Sequence, residues 1–222
     1  MDQKKIFLNS EGDSWNSRNK GAEIDDKDPI VNYFYDLHKA SPGEIFGRLL
    51  EIGCADGKRL SVLKALPFTS LEGLEPSKEA VEAAVSKGVH AYVGTADQLP
   101  FEDRSFDYVV FAGCLYLVDR EDLFSISHEA DRVLKPNGKI ILYDFSPQAN
   151  LKNQYKHCSG VVVHKMDHSK MFTWNPDYTV AFRKSYSYDL KSSFSSNLDD
   201  QIVITVLNKC MPGSGYIKSN QN

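Results

Sequence analysis

Apolar positions fall into two alternating rhythms between Pro29 and Phe145. Ile30, Tyr33, Phe34 and Leu37 recur at three, four and seven, which puts them on one face of a helix running to about Lys39. Asp28 is placed to cap that helix and Pro29 to open it. A buried strand is expected over 48–53, then a helix over 58–66 stopped by Pro67. Residues 71–75 predict the next strand, Pro76-Ser77 and a helix to about Lys87 follow, and 89–93 is a short third strand. Residues 106–112 are apolar along their length, the pattern of a strand covered on both faces. Leu123, Ile126, Ala130 and Val133 make a helical stripe that ends at Pro136-Asn137-Gly138, and 139–145 is a fifth strand. Strands separated by helices predict an α/β fold with a parallel, doubly wound sheet in three layers, α/β/α.

The flanks read differently. Residues 1–26 are polar and predict an arm with little regular structure. Residues 146–177 are irregular and rich in His, Lys, Asn and aromatics. Residues 178–188 and 201–208 predict two strands joined by a Ser-rich turn, and with no helix between them they should pair antiparallel. The tail from Met211 is expected to fray. A single domain over 1–222 is expected: arm and helix (1–45), strand–helix core (46–145), irregular lid (146–177), C-terminal strands (178–209) and tail (210–222).

Composition narrows the class. With 222 residues, 41% apolar and 25% charged, the chain is an ordinary globular domain. A formal charge of −4 gives no footprint for nucleic acid, which would need a clustered basic surface. The longest apolar run, 109–118, is about half of what a membrane-spanning helix needs, and the N-terminus has no apolar signal segment. Cys54, Cys114, Cys158 and Cys210 are far apart, so neither a zinc site nor a disulfide framework is expected, and a cytoplasmic location fits.

The chemistry concentrates at 49–57, LLEIGCADG: an acid closing a strand, then Gly53, Ala55 and Gly57 before a helix. Small residues there let backbone approach a ligand through a tight turn. Glu75 closes the second strand, with Pro76 beside it, where a carboxylate accepts both ribose hydroxyls of a nucleoside. A dinucleotide fingerprint needs a third glycine, and Lys58 stands in its place. That departure favours a cofactor without phosphates.

LLEIGCADG, LEGLEPS, GTADQLPFEDRSFDYVV and RVLKPNGKIILYDFSP stand in the order and spacing of one family. Over roughly 49–147 the chain resembles class I S-adenosylmethionine-dependent methyltransferases of the type-11 branch. The resemblance implies a Rossmann-like sheet, mostly parallel with an antiparallel C-terminal pair, and S-adenosyl-L-methionine as cofactor. It implies that Glu51 orients the glycine loop and that Gly53, Cys54 and Ala55 pass beside the methionyl part. Glu75 and Pro76 would hold the ribose; Ala96, Asp97 and Gln98 would meet the adenine edge; Ala112 and Gly113 would line the pocket near the sulfonium. Ala55 stands where the family commonly has glycine. The arm FLNSEGDSWNSRN resembles that of methyltransferases associated with bacterial surface-sugar and flagellin-sugar gene sets, which implies Trp15 covering the cofactor and Arg18 on its carboxylate; the alternative is a disordered leader.

An acceptor in an open α/β sheet binds outside the carboxyl ends of the strands. Tyr116, Asp144 and the 146–177 segment are therefore the candidates, with His157 first and Asp144 second as general base for a hydroxyl acceptor. His164 and His168 are four apart on a stretch that reads as strand, so no metal is expected. The leading function is methyl transfer to an oxygen of a small polar metabolite, a sugar or nucleotide-linked sugar, with neither nucleic acid nor membrane as partner. An NAD-dependent oxidoreductase and a non-catalytic S-adenosylmethionine-binding protein are the alternatives.

Overall fold

A computed structural model describes residues 2–24, 27–193 and 195–210; the expected tail from Met211 lies outside them. In chain order the helices are α1 (Gln3–Ile6), α2 (Gly12–Asn19), α3 (Pro29–Ala40), α4 (Lys58–Leu63), α5 (Lys78–Ser86), α6 (Leu123–Val133) and α7 (Lys170–Thr173). The strands are β1 (Gly47–Ile52), β2 (Phe68–Glu75), β3 (His90–Val93), β4 (Phe106–Ala112), β5 (Leu134–Phe145), β6 (Leu151–Gln154), β7 (Val162–Lys165), β8 (Tyr178–Ser187) and β9 (Gln201–Lys209). Seven of them form one sheet in the order β3-β2-β1-β4-β5-β9-β8. The first five are parallel; β9 runs antiparallel to both β5 and β8. This is the expected doubly wound sheet, and the C-terminal pair joins it through β9.

The continuous apolar runs of the central strands follow from burial on both faces. Leu49, Tyr108, Val110 and Ile141 pack on one side with Ile30, Phe34, Leu60 and Leu63. Leu50, Val109, Phe111 and Ile140 pack on the other with Ile126, Ala130 and Val133. Successive residues serve opposite layers, so no alternation of polar positions survives in the sequence. Asp28 caps α3 as expected, accepting from the N–H groups of Ile30 and Val31 at 3.0 Å, with Pro29 at the first turn.

Three expectations change. Residues 3–19 are helical, with a π-helical turn over Phe7–Glu11 between α1 and α2. Polar and close-range contacts hold this arm. Gln3, 2% exposed, donates to the Leu117 carbonyl at 2.8 Å and accepts from the Val162 N–H. Asp13 accepts from the Ser77 hydroxyl at 2.6 Å and from the Glu79 N–H at 3.2 Å. A Cβ on Gly12 would lie 2.7 Å from the Phe7 carbonyl oxygen and 3.1 Å from the Ser77 nitrogen, so a side chain there would force the arm to shift. Hydrophobic periodicity does not register such contacts. Secondly, Pro136-Asn137-Gly138 sits inside β5 as an irregularity: Leu134 already pairs with Phe106, and Asn137 takes φ 64°. Thirdly, the 146–177 segment contains the antiparallel pair β6–β7 and the short α7. Val161 and Val163 of this hairpin pack on Leu117 together with Ile6 and Phe7 of the arm. Arm and hairpin thus clasp each other beside the carboxyl ends of the strands. No helix among the described residues is long and apolar enough to cross a membrane.

Candidate cofactor site

The turn from β1 into α4 is built by backbone that side chains rarely adopt. Gly53 and Gly57 take φ 77° and 72°. A Cβ on Gly53 would lie 2.8 Å from Cys114 Cβ, and one on Gly57 would lie 2.9 Å from Ala84 Cβ. Ala55 between them has φ 47°, a left-handed conformation that costs a non-glycine residue about 1–2 kcal/mol. Ala55→Gly relieves that strain but adds about 0.4–1 kcal/mol of unfolded-chain entropy. The expected result is a net stabilisation of up to about 1.6 kcal/mol in urea unfolding, with cofactor affinity kept. A loss of stability would show that the Ala55 methyl packs usefully.

Glu75 ties this loop to the next strand. Its carboxylate accepts from the Ala55 N–H at 3.1 Å on one oxygen and from the Ser77 N–H at 3.1 Å on the other. Burial pushes its carboxyl up to about 7 against the pull of those two donors. A carboxylate has about four lone-pair sites, so acceptor capacity remains on both oxygens.

A cavity of about 900 Å³, open to solvent, lies over the carboxyl ends of β1, β2 and β4. Of the residues expected at a cofactor, Trp15, Gly53, Glu75 and Pro76 line it, as do Ala96, Asp97, Ala112 and Gly113. A second cavity, about 580 Å³, is lined by Cys54 and Ala55 with Asn16, Asp56, Lys58 and Arg59. Trp15, Gly53 and Ala112 border both. Glu51 lines neither cavity: it is 1% exposed and bonded to Arg59, which lines the second. Burial pushes its carboxyl up, and the guanidinium opposes that shift. Gln98 is exposed in the turn after Thr95 and lines neither cavity. Arg18 also lines neither: it pairs with Glu11 and donates to the Tyr155 hydroxyl at 3.1 Å, which joins the arm to the hairpin.

The sequence left several lining residues unmarked. Lys4 reaches Asp97 at 2.6 Å and Asp122 at 3.7 Å. Burial pushes the Asp97 carboxyl up, but hydrogen bonds from Lys4 and Thr95 carry it below the ordinary carboxylate value. Asn16 and Lys4 belong to the arm, whose helices carry no apolar stripe to betray them. Arg59 did leave a signal, an arginine one turn beyond a strand-end glutamate that must be buried.

At the ends of β4 and β5, Asp144 is 5% exposed and accepts from the N–H groups of Tyr116 at 3.2 Å and Phe145 at 2.7 Å. Burial pushes its carboxyl up to about 7, opposed by the N–H groups of Phe145, Tyr116 and Leu115. The Tyr116 ring meets Phe145 edge-on at 5.1 Å, its hydroxyl bonds the Trp15 side chain, and Tyr188 stacks on Phe145 at 5.8 Å. His157 sits in the exposed turn of the hairpin, edge-on to Tyr155 at 5.3 Å, and lines neither cavity. His164 lies on β7 and His168 in the turn after it.

The chain's residues 50–142 match the methyltransferase domain family. Among curated relatives, the fatty-acid O-methyltransferase of Mycolicibacterium smegmatis is 27% identical over 139 residues, covering 59% of this chain and 50% of that one. The ubiquinone/menaquinone biosynthesis C-methyltransferase of Rickettsia bellii is 32% identical over 120 residues, covering 53% and 44%. The chain spans half the length or less of these relatives. A solved S-adenosylmethionine-dependent methyltransferase from Methanosarcina mazei superposes with TM-score 0.65 at 16% identity, covering 86% of this chain and 100% of that one. A putative methyltransferase of Haloferax volcanii, solved with the Trm112 activator, gives TM-score 0.64 at 21% identity, covering 92% and 98%. The fold is therefore the Rossmann-like fold of these solved methyltransferases, and the matched residues 50–142 supply the strand ends and the glycine loop that border both cavities.

Buried atoms left without partners fit S-adenosylmethionine as a cofactor. Asn16 Nδ2 and Glu51 Oε2 are buried with no partner among the described residues. A donor on the wall of the second cavity and an acceptor behind it suit the carboxylate and amino group of a methionyl moiety.

Proposed function

We propose that this protein is an S-adenosylmethionine-dependent methyltransferase acting on an oxygen of a small polar acceptor, a sugar or nucleotide-linked sugar. One observation carries the choice of cofactor: among the described residues, Glu75, Asp97, Asp119 and Asp122 line the main cavity against one cation, Lys4. A cationic sulfonium is favoured there, and a pyrophosphate is repelled. This, with Lys58 in place of a third glycine, weighs against a nicotinamide dinucleotide.

The cofactor supplies a methyl carbon already activated by its positive sulfur. The protein's work is alignment and exclusion of water, which supply roughly 7–11 kcal/mol in well-oriented systems. Glu75 would hold the ribose hydroxyls, Asp97 the adenine amine and Asn16 the carboxylate, with Trp15 as cover. The acceptor would stand where Tyr116 and Trp15 meet, with the exposed ring of Tyr188 offering a flat face to a sugar. Surface-sugar methylation rests on the likeness of the arm to that group of enzymes.

Neither His157 nor Asp144 lines a cavity; for the proton of a hydroxyl acceptor Asp144 stands ahead because it lies at the strand ends with a carboxyl near 7, whereas His157 lies in an exposed hairpin turn. Asp144→Asn is expected to keep cofactor binding and lower turnover by about 10²–10⁴-fold. The limb near pH 7 should vanish from the kcat/KM profile. His157→Ala is expected to change turnover little, and the reverse ranking would return the role to His157.

Thermal unfolding with S-adenosylhomocysteine, against NADH, tests the cofactor. At 100 times its dissociation constant a ligand adds roughly 2.7 kcal/mol, and about 2–4 °C per kcal/mol gives a rise of several degrees. A rise with NADH alone would sink the reading. Labelled-methyl transfer to a panel of sugars and nucleotide-linked sugars tests the acceptor and separates an enzyme from a silent binder.

A further inference from the structure

Three cationic or protonatable side chains from three segments meet on the outer face of the hairpin. Lys152 on β6 and His164 on β7 are register partners, which sets their side chains side by side on one face. Arg120, from the loop after β4, reaches across to Met166, and its charge acts on both His164 and His168. Neither Arg120 nor Lys152 makes an ion pair among the described residues. His168 beneath them is 4% exposed, and its Nδ1 is buried without a partner.

The nearby acids do not answer this charge. Asp167 is engaged by Arg183 at 2.8 Å and by Ser169. Asp119 accepts from the Gln3 N–H at 2.8 Å and lines the cofactor cavity. Like charges held together without an anion cost free energy, and a ligand that supplies the anion recovers it. Arg120 follows directly on Asp119, so it adjoins the cofactor cavity at its Asp119 wall.

We propose that Arg120, Lys152 and His164, backed by His168, bind a phosphoryl group, and that the methyl acceptor carries it. The second half rests on the nucleotide-linked acceptor proposed above; the first half does not. Arg presents a planar fork that matches phosphate oxygens bidentately, and Lys adds a point charge. Burial, Arg120 and Lys152 hold His164 below its ordinary value against the weaker pull of Asp119. Burial, Arg120 and His164 likewise hold His168 at about 4, with Asp167 opposing them. A bound dianion raises both, so binding takes up protons and tightens as pH falls.

The test is calorimetric titration of the full chain, loaded with S-adenosylhomocysteine, by inorganic pyrophosphate and uridine diphosphate at pH 6.5 and 8. One saturable site is expected, tighter at pH 6.5, with proton uptake seen as a buffer-dependent heat. Arg120→Ala and Lys152→Ala should each weaken it at least about tenfold, the scale of one charge-assisted contact. Lys39→Ala, at an exposed position near the end of α3, should not. Absence of saturable binding, or wild-type affinity in both variants, would overturn the site. Uridine diphosphate binding tighter than pyrophosphate supports the acceptor as its source, and equal binding of inorganic phosphate alone overturns that half. Binding that disappears in Arg120→Ala while no nucleotide-linked sugar is methylated keeps the phosphoryl site and removes the acceptor reading.

Discussion

Glu75→Gln should weaken S-adenosylhomocysteine binding by about 10²–10⁴-fold, because two hydrogen bonds to a charged acceptor contribute about 1.5–3 kcal/mol each. The amide has one acceptor oxygen where the carboxylate has two, and both are already used, by the Ala55 and Ser77 N–H groups. One of those donors therefore loses its partner, and the loop loosens at a cost of about 1–3 kcal/mol.

The pH dependence separates the ligand's share from the loop's. In the free protein burial raises the Glu75 carboxyl from 4.5 to about 7. The carboxylate is the form that accepts the ribose hydroxyls. Cofactor affinity should thus be level above pH 7 and decline below it, approaching about tenfold per pH unit. Stability without cofactor runs the opposite way. A folded carboxyl titrating above its unfolded value binds more protons when folded, so its contribution is largest below 4.5 and is lost as pH climbs through about 7. Glu75→Gln should flatten both curves in calorimetry and denaturant unfolding over pH 5–8.5. Wild-type affinity in this variant, with an unchanged pH profile, would remove the ribose from Glu75.

The parts of this architecture legible in the sequence are those in which burial dictates residue type. Leu49 and Leu50 had to be apolar because each faces a different helical layer, and Gly53 and Gly57 had to lack a Cβ because Cys114 and Ala84 crowd them. The arm was illegible for the complementary reason. Gln3, Asp13 and Arg18 are held by polar partners far along the chain, on Leu117, Ser77 and Tyr155, and nothing local specifies those pairings. Arg18 illustrates the limit: a plausible ligand for a carboxylate by type, it is claimed instead by Glu11 and the hairpin. The β5 irregularity escaped for another reason, since Pro136-Asn137-Gly138 has the chemistry of a turn and is used as a kink within a paired strand.

Arg59→Met should destabilise the fold by about 3–5 kcal/mol, the usual cost of removing one member of a buried ion cluster. The guanidinium joins three elements. It bonds Asp28, the cap of α3, through Nε and Nη2 at 3.2 and 2.9 Å, and Glu51, at the end of β1, through Nη1. All three side chains are largely buried, at 12%, 7% and 1% exposed. Methionine fills comparable space but leaves two carboxylates facing each other without a cation. At about 2–4 °C per kcal/mol, the melting midpoint should fall by about 6–20 °C near neutral pH. Loss of the guanidinium drives the Glu51 carboxyl further up from its already raised position. Protonation then relieves the repulsion, so the gap between variant and wild type should narrow as pH drops from 8 towards 5. Glu51→Gln added to Arg59→Met should recover part of the loss at pH 8, since residues in one network are not additive. A gap that stays constant with pH, and no recovery in the double variant, would mean that Arg59 acts through packing of its aliphatic stem. The cluster's place at the foot of the glycine loop would then be incidental to its charge.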